Sequence, residues 1–95
     1  MYHMDEHARR VVQRVLEAAA AVQERRASIA SLQTATAGAA GALDNSNPDL
    51  RAALERLDSD LEMIRFTVEE AQQAAAIRQA VGPLRVIAEI GRAHV

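Results

Sequence analysis

The most constraining feature of the chain is a run of apolar residues in its second half that repeats in steps of four and three. The run comprises Leu50, Leu54, Leu57, Leu61, Ile64, Val68, Ala71 and Ala75. This is heptad spacing, which places every member on one stripe of an α-helix and is typical of helices that pack along their length. The spacing predicts an all-α fold in which a helix over residues 48–81 packs against another helix.

The first half of the chain carries a matching but wider apolar stripe. Neither glycine nor proline occurs in residues 5–36. Apolar residues follow heptad spacing at Val11, Val15, Ala18, Val22, Ile29 and Leu32, and Arg25 occupies the one position of this pattern that is not apolar. Asp5 stands where an N-cap residue is expected, because its side chain can accept a hydrogen bond from a free backbone N–H of the first turn. We therefore predict a first helix over residues 5–36.

A segment rich in turn-forming residues separates the two halves. It contains Gly38, Gly41 and the polar run of residues 44–47, all of which favour the end of a helix. Asn47-Pro48 then indicates a helix start, because proline at the first helical position loses no intrahelical hydrogen bond. These features predict a bend over residues 37–47.

Near the C-terminus, Gly82-Pro83 is predicted to kink or end the second helix, because proline lacks the backbone N–H and crowds the preceding turn. Leu84, Ile87 and Ile90 indicate a short third helix over residues 84–90. Two helices of more than 30 residues would each be roughly 50 Å long. The predicted architecture is a long, coiled-coil-like antiparallel helical hairpin with a short C-terminal third helix, in a single domain over residues 1–95.

A lone hairpin of this composition has few large apolar side chains with which to form a core. Tyr2 and Phe66 are its only aromatic residues, and alanine accounts for much of the 49% apolar content. A second apolar stripe lies beside the heptad seam and comprises Met63, Phe66, Ala74, Ile77, Val81 and Leu84. All of its members except Ala74 are expected to mediate association. We predict a homodimer or higher homo-oligomer, most simply two hairpins forming a four-helix bundle. A groove or knob for a different protein is the alternative.

Several functional classes are disfavoured by the sequence. The chain has no cysteine, no histidine between His7 and His94, and a net charge of −2. His3 and His7 share a helical face but lack further metal ligands. We expect a non-enzymatic protein with no cofactor and no bound metal. Nucleic acid is not an expected partner, because the arginine-rich stretch is interrupted by glutamates and lacks aromatics. The apolar runs are too short for a membrane span.

The sequence also suggests a source and a location. All 11 basic residues are arginine, which points to a GC-rich bacterial genome. We expect a cytoplasmic protein that acts as an interaction or scaffold module through helix packing and self-association. Residues 1–3 are interpreted either as native sequence or as a cloning remnant, since Met4 could serve as the initiator.

The segment Asp44-Asn45-Ser46-Asn47-Pro48-Asp49-Leu50 resembles the Pro-x-Asn-Pro bend of type III secretion needle subunits, although the upstream proline of that bend is missing. In length, alanine content and mid-chain bend, the chain is also similar to the helical-hairpin substrates of type VII secretion, without their Trp-x-Gly turn. These resemblances imply, as an alternative function, an exported subunit or chaperone of a specialised secretion system.

Overall fold

Four α-helices make up the part of the chain that the structure describes. The computed structural model describes residues 5–43 and 47–93, and all regular secondary structure within them is helical. The helices are α1 (Glu6–Gln23), α2 (Ile29–Ala42), α3 (Pro48–Thr67) and α4 (Glu70–Ala93). The predicted all-α class is confirmed. The predicted helices over residues 5–36 and 48–81 are wrong in extent, because each is interrupted by a turn.

The first interruption follows α1 at the arginine that breaks the apolar stripe. Arg25 adopts a left-handed backbone conformation with φ 61°, and the Arg26 N–H donates a hydrogen bond to the Ala21 carbonyl at 2.8 Å. This is a Schellman-type helix end. Ser28 then caps α2, since its side chain accepts a hydrogen bond from the Ser31 N–H at 3.1 Å. A backbone cap at the end of α1 and a side-chain cap at the start of α2, without glycine or proline, divide the predicted first helix.

The predicted bend over residues 37–47 is wrong for most of its length that the structure describes. Helix α2 continues to Ala42 through Gly38 and Gly41, both of which are exposed and neither of which has a positive φ. The helix persists because its opposite face is buried at Leu32, Thr36, Ala39 and Ala40, followed by Leu43. Residues 44–46 of the predicted bend lie outside the described residues.

These two helical glycines lead to a stability prediction. A Cβ atom built at Gly38 or Gly41 would meet no atom within 4 Å. Gly38→Ala and Gly41→Ala should therefore each stabilise the fold by about 0.5–1 kcal/mol, since alanine restricts the unfolded chain and favours helix. Urea denaturation followed by circular dichroism measures the change. A loss of stability in either variant would show that α2 does not run through the glycines.

Two predicted helix starts are confirmed. The Asp5 side chain accepts a hydrogen bond from the Ala8 N–H at 2.8 Å, as expected of an N-cap. Asn47 occupies the N-cap position of α3, and Pro48 is its first helical residue. The heptad seam that follows is buried as far as α3 extends, at Leu50, Leu54, Leu57, Leu61 and Ile64.

A second interruption, at Val68 and Glu69, separates α3 from α4. The Gln73 side-chain amide donates a hydrogen bond to the Val68 carbonyl at 3.1 Å, which ties the start of α4 to the turn. Beyond the turn the heptad seam fails, because Ala71 and Ala75 are exposed. Helix α4 instead buries the larger side chains Ile77, Val81, Leu84 and Ile87, which remove more apolar surface from water than alanine does.

The predicted helix end at residue 81 and the separate helix over 84–90 are also wrong. Helix α4 runs through Gly82 and Pro83 without interruption. Val81 and Leu84, on either side of this pair, are 0% and 3% exposed. Burial of these two side chains keeps the segment helical although proline removes one backbone hydrogen bond.

The four helices pack around one core in a closed sequence of contacts: α1 touches α2 and α4, and α3 touches α2 and α4. His7 Nε2 lies 3.2 Å from the Ala42 carbonyl oxygen, so the start of α1 is beside the end of α2. The molecule measures 38 × 23 × 20 Å. A hairpin of two helices roughly 50 Å long does not fit these dimensions.

Candidate functional site

The five residues predicted to mediate association fall into two groups. Ile77, Val81 and Leu84 are 1%, 0% and 3% exposed and belong to the core of the chain itself. Their predicted role in association is corrected on this ground, because packing within one chain already covers them. Met63 and Phe66 are 59% and 69% exposed, and association through them stays a prediction.

Among the residues that the structure describes, exposed large hydrophobic side chains occur on α3 and α4 and not on α1 or α2. In residues 5–43 and 47–93 they are Met63 and Phe66 on α3, and Val86 and Ile90 on α4. The Arg65 guanidinium lies 5.1 Å from the centre of the Phe66 ring, a cation–π contact that leaves most of the ring in water. The α3–α4 side therefore carries the apolar surface that folding leaves uncovered.

A groove runs between α3 and α4 and holds about 870 Å³. Its α3 wall is formed by residues of the first two-thirds of that helix: Asp49, Ala52, Ala53, Arg56, Leu57 and Asp60. Its α4 wall comes from the last two-thirds of that helix: Gln79, Ala80, Pro83, Leu84, Val86, Ile87 and Ile90. The two helices consequently run in opposite directions. Each wall spans eleven residue steps, or about 17 Å of helix.

Two different walls give the groove its chemical character. The charged residues Asp49, Arg56 and Asp60 all lie on α3, whereas the α4 wall carries no charge. Val86 is 55% exposed and Ile90 37% exposed on that wall, above buried Leu57, Leu84 and Ile87. An apolar floor with charges along one edge is the form of surface on which an amphipathic helix packs.

Met63 extends the α3 wall toward the α3–α4 turn. It is seven residues beyond Arg56, so the two side chains lie in the same row along the helix. Phe66 follows one turn later, farther from the groove. We call the surface formed by the groove and Met63 the α3–α4 face.

No grouping of residues suggests metal chemistry in the described part of the chain, where no three His, Asp or Glu side chains come close enough to hold an ion. None of the helices in residues 5–43 and 47–93 is long and apolar enough to cross a membrane. His3, the suggested companion of His7, lies outside the described residues.

The fold and the groove define a small all-helical protein with an uncovered apolar face. Comparison with known protein families, with curated proteins and with solved structures finds no match. The functional interpretation therefore depends on the geometry of the α3–α4 face.

Sequence reasoning missed most of this groove. Val86 was not singled out, because in the predicted architecture it lies outside the short third helix's apolar stripe. Its signal was the spacing of Val86 and Ile90, four residues apart and thus on one side of the helix, beside the buried Leu84 and Ile87.

Proposed function

We propose that the chain is a non-enzymatic protein–protein interaction or scaffold module that self-associates by helix packing through its α3–α4 face. The observation that carries this proposal is the confinement of Met63, Phe66, Val86 and Ile90, the exposed large hydrophobics of the described residues, to α3 and α4. A groove of about 870 Å³ between the same helices supports it.

The dimensions of the groove favour a helix as the bound element. A groove about 17 Å long accommodates about three helical turns, and its apolar floor matches side chains at positions i, i+3 or i+4, and i+7 of an incoming helix. Small-molecule sites usually combine apolar walls with a few converging polar groups. Here Arg56 and Gln79 are exposed, and the charges lie along one wall.

Val86→Asp tests this proposal. Val86 is 55% exposed, so an aspartate there remains solvated in the single chain but would be desolvated in a complex. We expect the dissociation constant for self-association to rise by about tenfold or more, with the helical circular dichroism signal unchanged. Sedimentation equilibrium gives the constant.

Ala74→Asp is the matched control. It adds the same charge to an exposed position of α4, about 120° around the helix from Val86. Equal weakening by both substitutions would assign the effect to net charge, and association unaffected by Val86→Asp would contradict binding through the α3–α4 face.

A further inference from the structure

The outer side of α3 carries a self-complementary pattern. Arg56 and Asp60 stand two residues before and two residues after residue 58. The exposed Met63 and the half-buried Ala53 stand five residues after and five before it. When two copies of such a helix pack in opposite directions across residue 58, each large side chain faces a small one and each cation faces an anion.

We propose that a second copy of this chain occupies the α3–α4 groove, with the two α3 helices antiparallel and related by a two-fold axis that passes midway between Arg56 and Asp60. This inference rests on the proposed function, and it adds the identity of the occupant and its register. A two-fold interface uses the same surface on both copies, so it closes after two.

Charge complementarity supports this register. Arg56 of each copy faces Asp60 of the other, so the axis generates two equivalent ion pairs. Within the described residues of one chain the salt bridges are Arg10–Glu6, Arg26–Glu24 and Arg51–Glu55, and Arg56 and Asp60 take part in none of them. An arginine four residues before an aspartate is the less favourable order for a pair within a helix.

Side-chain size supports the same register. Met63 of one copy meets Ala53 of the other, and Ala53 and Val86 line the groove together. Alanine leaves room for the unbranched methionine side chain, which adapts to irregular apolar surfaces. The Met63 side chain of each copy thus covers the part of the other copy's groove that is lined by Ala53 and Val86.

The resulting assembly places α3 and α4 of one copy against α3 and α4 of the second. It is a four-helix bundle made from two hairpins, as the sequence predicted, but each hairpin is the α3–α4 pair. Helices α1 and α2 lie on the outside, where they complete the core of each copy.

Charge reversal at the two-fold axis tests the register. Arg56→Asp and Asp60→Arg should each bring two pairs of like charges together and raise the dissociation constant of the dimer on the order of tenfold. The double variant Arg56→Asp/Asp60→Arg restores opposite charges in swapped positions. Its dissociation constant should return to within about threefold of the parent value.

The matched control is Arg51→Asp, which reverses an arginine of the same helix that is paired with Glu55 and lies about 160° around α3 from the proposed interface. It should leave the constant within about twofold of the parent value. Sedimentation equilibrium gives the constants, and circular dichroism verifies that every variant is helical.

Three outcomes would overturn this inference in distinguishable ways. If the charge variants associate as the parent does while Val86→Asp still weakens association, the register is wrong and the proposed function stands. If the parent chain itself has the mass of one copy at every concentration, both the register and self-association fail. Weakening in both single variants without recovery in the double variant would also overturn the pairing of Arg56 with Asp60.

Discussion

Leu61→Asp is expected to unfold the chain. Leu61 is 0% exposed and lies in the core with Leu54, Leu57 and Ile64. The substitution removes the apolar contacts of leucine and places a carboxylate in a site that has no partner for it, at a cost of about 4 kcal/mol or more. Domains of this size are stable by only about 5–10 kcal/mol. Loss of the helical signal at 25 °C, or a strongly lowered urea midpoint, would be the measurement.

Met63→Asp provides the contrast for this prediction. Met63 is two residues away on the same helix and 59% exposed, so the new carboxylate stays hydrated and helicity should persist. Its effect should appear in association instead. Equal loss of helicity in both variants would contradict the division of α3 into a core side and an exposed side.

Pro83→Ala is expected to stabilise the chain by about 2 kcal/mol. Pro83 lies inside α4, where it cannot donate the hydrogen bond that residue 83 would otherwise make to the Gln79 carbonyl. An alanine restores this bond, and its higher helix propensity more than offsets the extra freedom it gives the unfolded chain. Chemical denaturation should show a raised midpoint with an unchanged slope.

Pro48→Ala is the matched control, because Pro48 is the first residue of α3 and loses no intrahelical bond there. It should lower stability slightly, by about 0.5 kcal/mol, through the unfolded state alone. If Pro83→Ala destabilised the chain as well, the proline ring would be contributing contacts at the groove that outweigh the missing hydrogen bond.

The parts of the fold that followed from sequence are those fixed by local chemistry. The starts of α1 and α3 were predictable because Asp5 and Asn47-Pro48 are strong initiation signals. The buried seam from Leu50 to Ile64 was predictable because leucines at heptad spacing form one apolar stripe of a helix, which is buried when the helix packs against another.

The two turns within the predicted long helices were not predictable from the same signals. Arg25 closes α1 in a left-handed conformation that glycine or asparagine usually adopts. Ser28 caps α2, yet a serine within an apolar pattern is equally compatible with an exposed position in the middle of a continuous helix. The apolar spacing resumes beyond each turn, at Ile29 and Leu32 after the first and at Ala71 and Ala75 after the turn at Val68 and Glu69. This resumption concealed both turns.

Folding each predicted helix in two changes what the second apolar stripe does. In a long hairpin, Ile77, Val81 and Leu84 would face outward and need a second molecule. After the turn at Val68 and Glu69 they return onto α3 and α1 and fill the core of one chain. Association is therefore not required to bury them. The proposal of association depends instead on the exposed side chains of Met63, Val86 and Ile90.

This distinction separates folding from association. The core residues of all four helices are covered within one chain, so a single copy should remain helical on dilution. The self-association that we propose for the α3–α4 face would be a second, weaker process that depends on concentration. Variants of the core should change both processes, whereas variants of the face should change only association.

The most direct test of the central claim is the absolute mass of the parent chain, measured by light scattering on a sizing column across a hundredfold range of concentration, with circular dichroism in parallel. We predict a mass that rises from one copy to two and then stops, while helicity stays constant. The mass of a single copy at every concentration would contradict self-association through the α3–α4 face, and mass that continues to grow beyond two copies would contradict a closed two-fold interface.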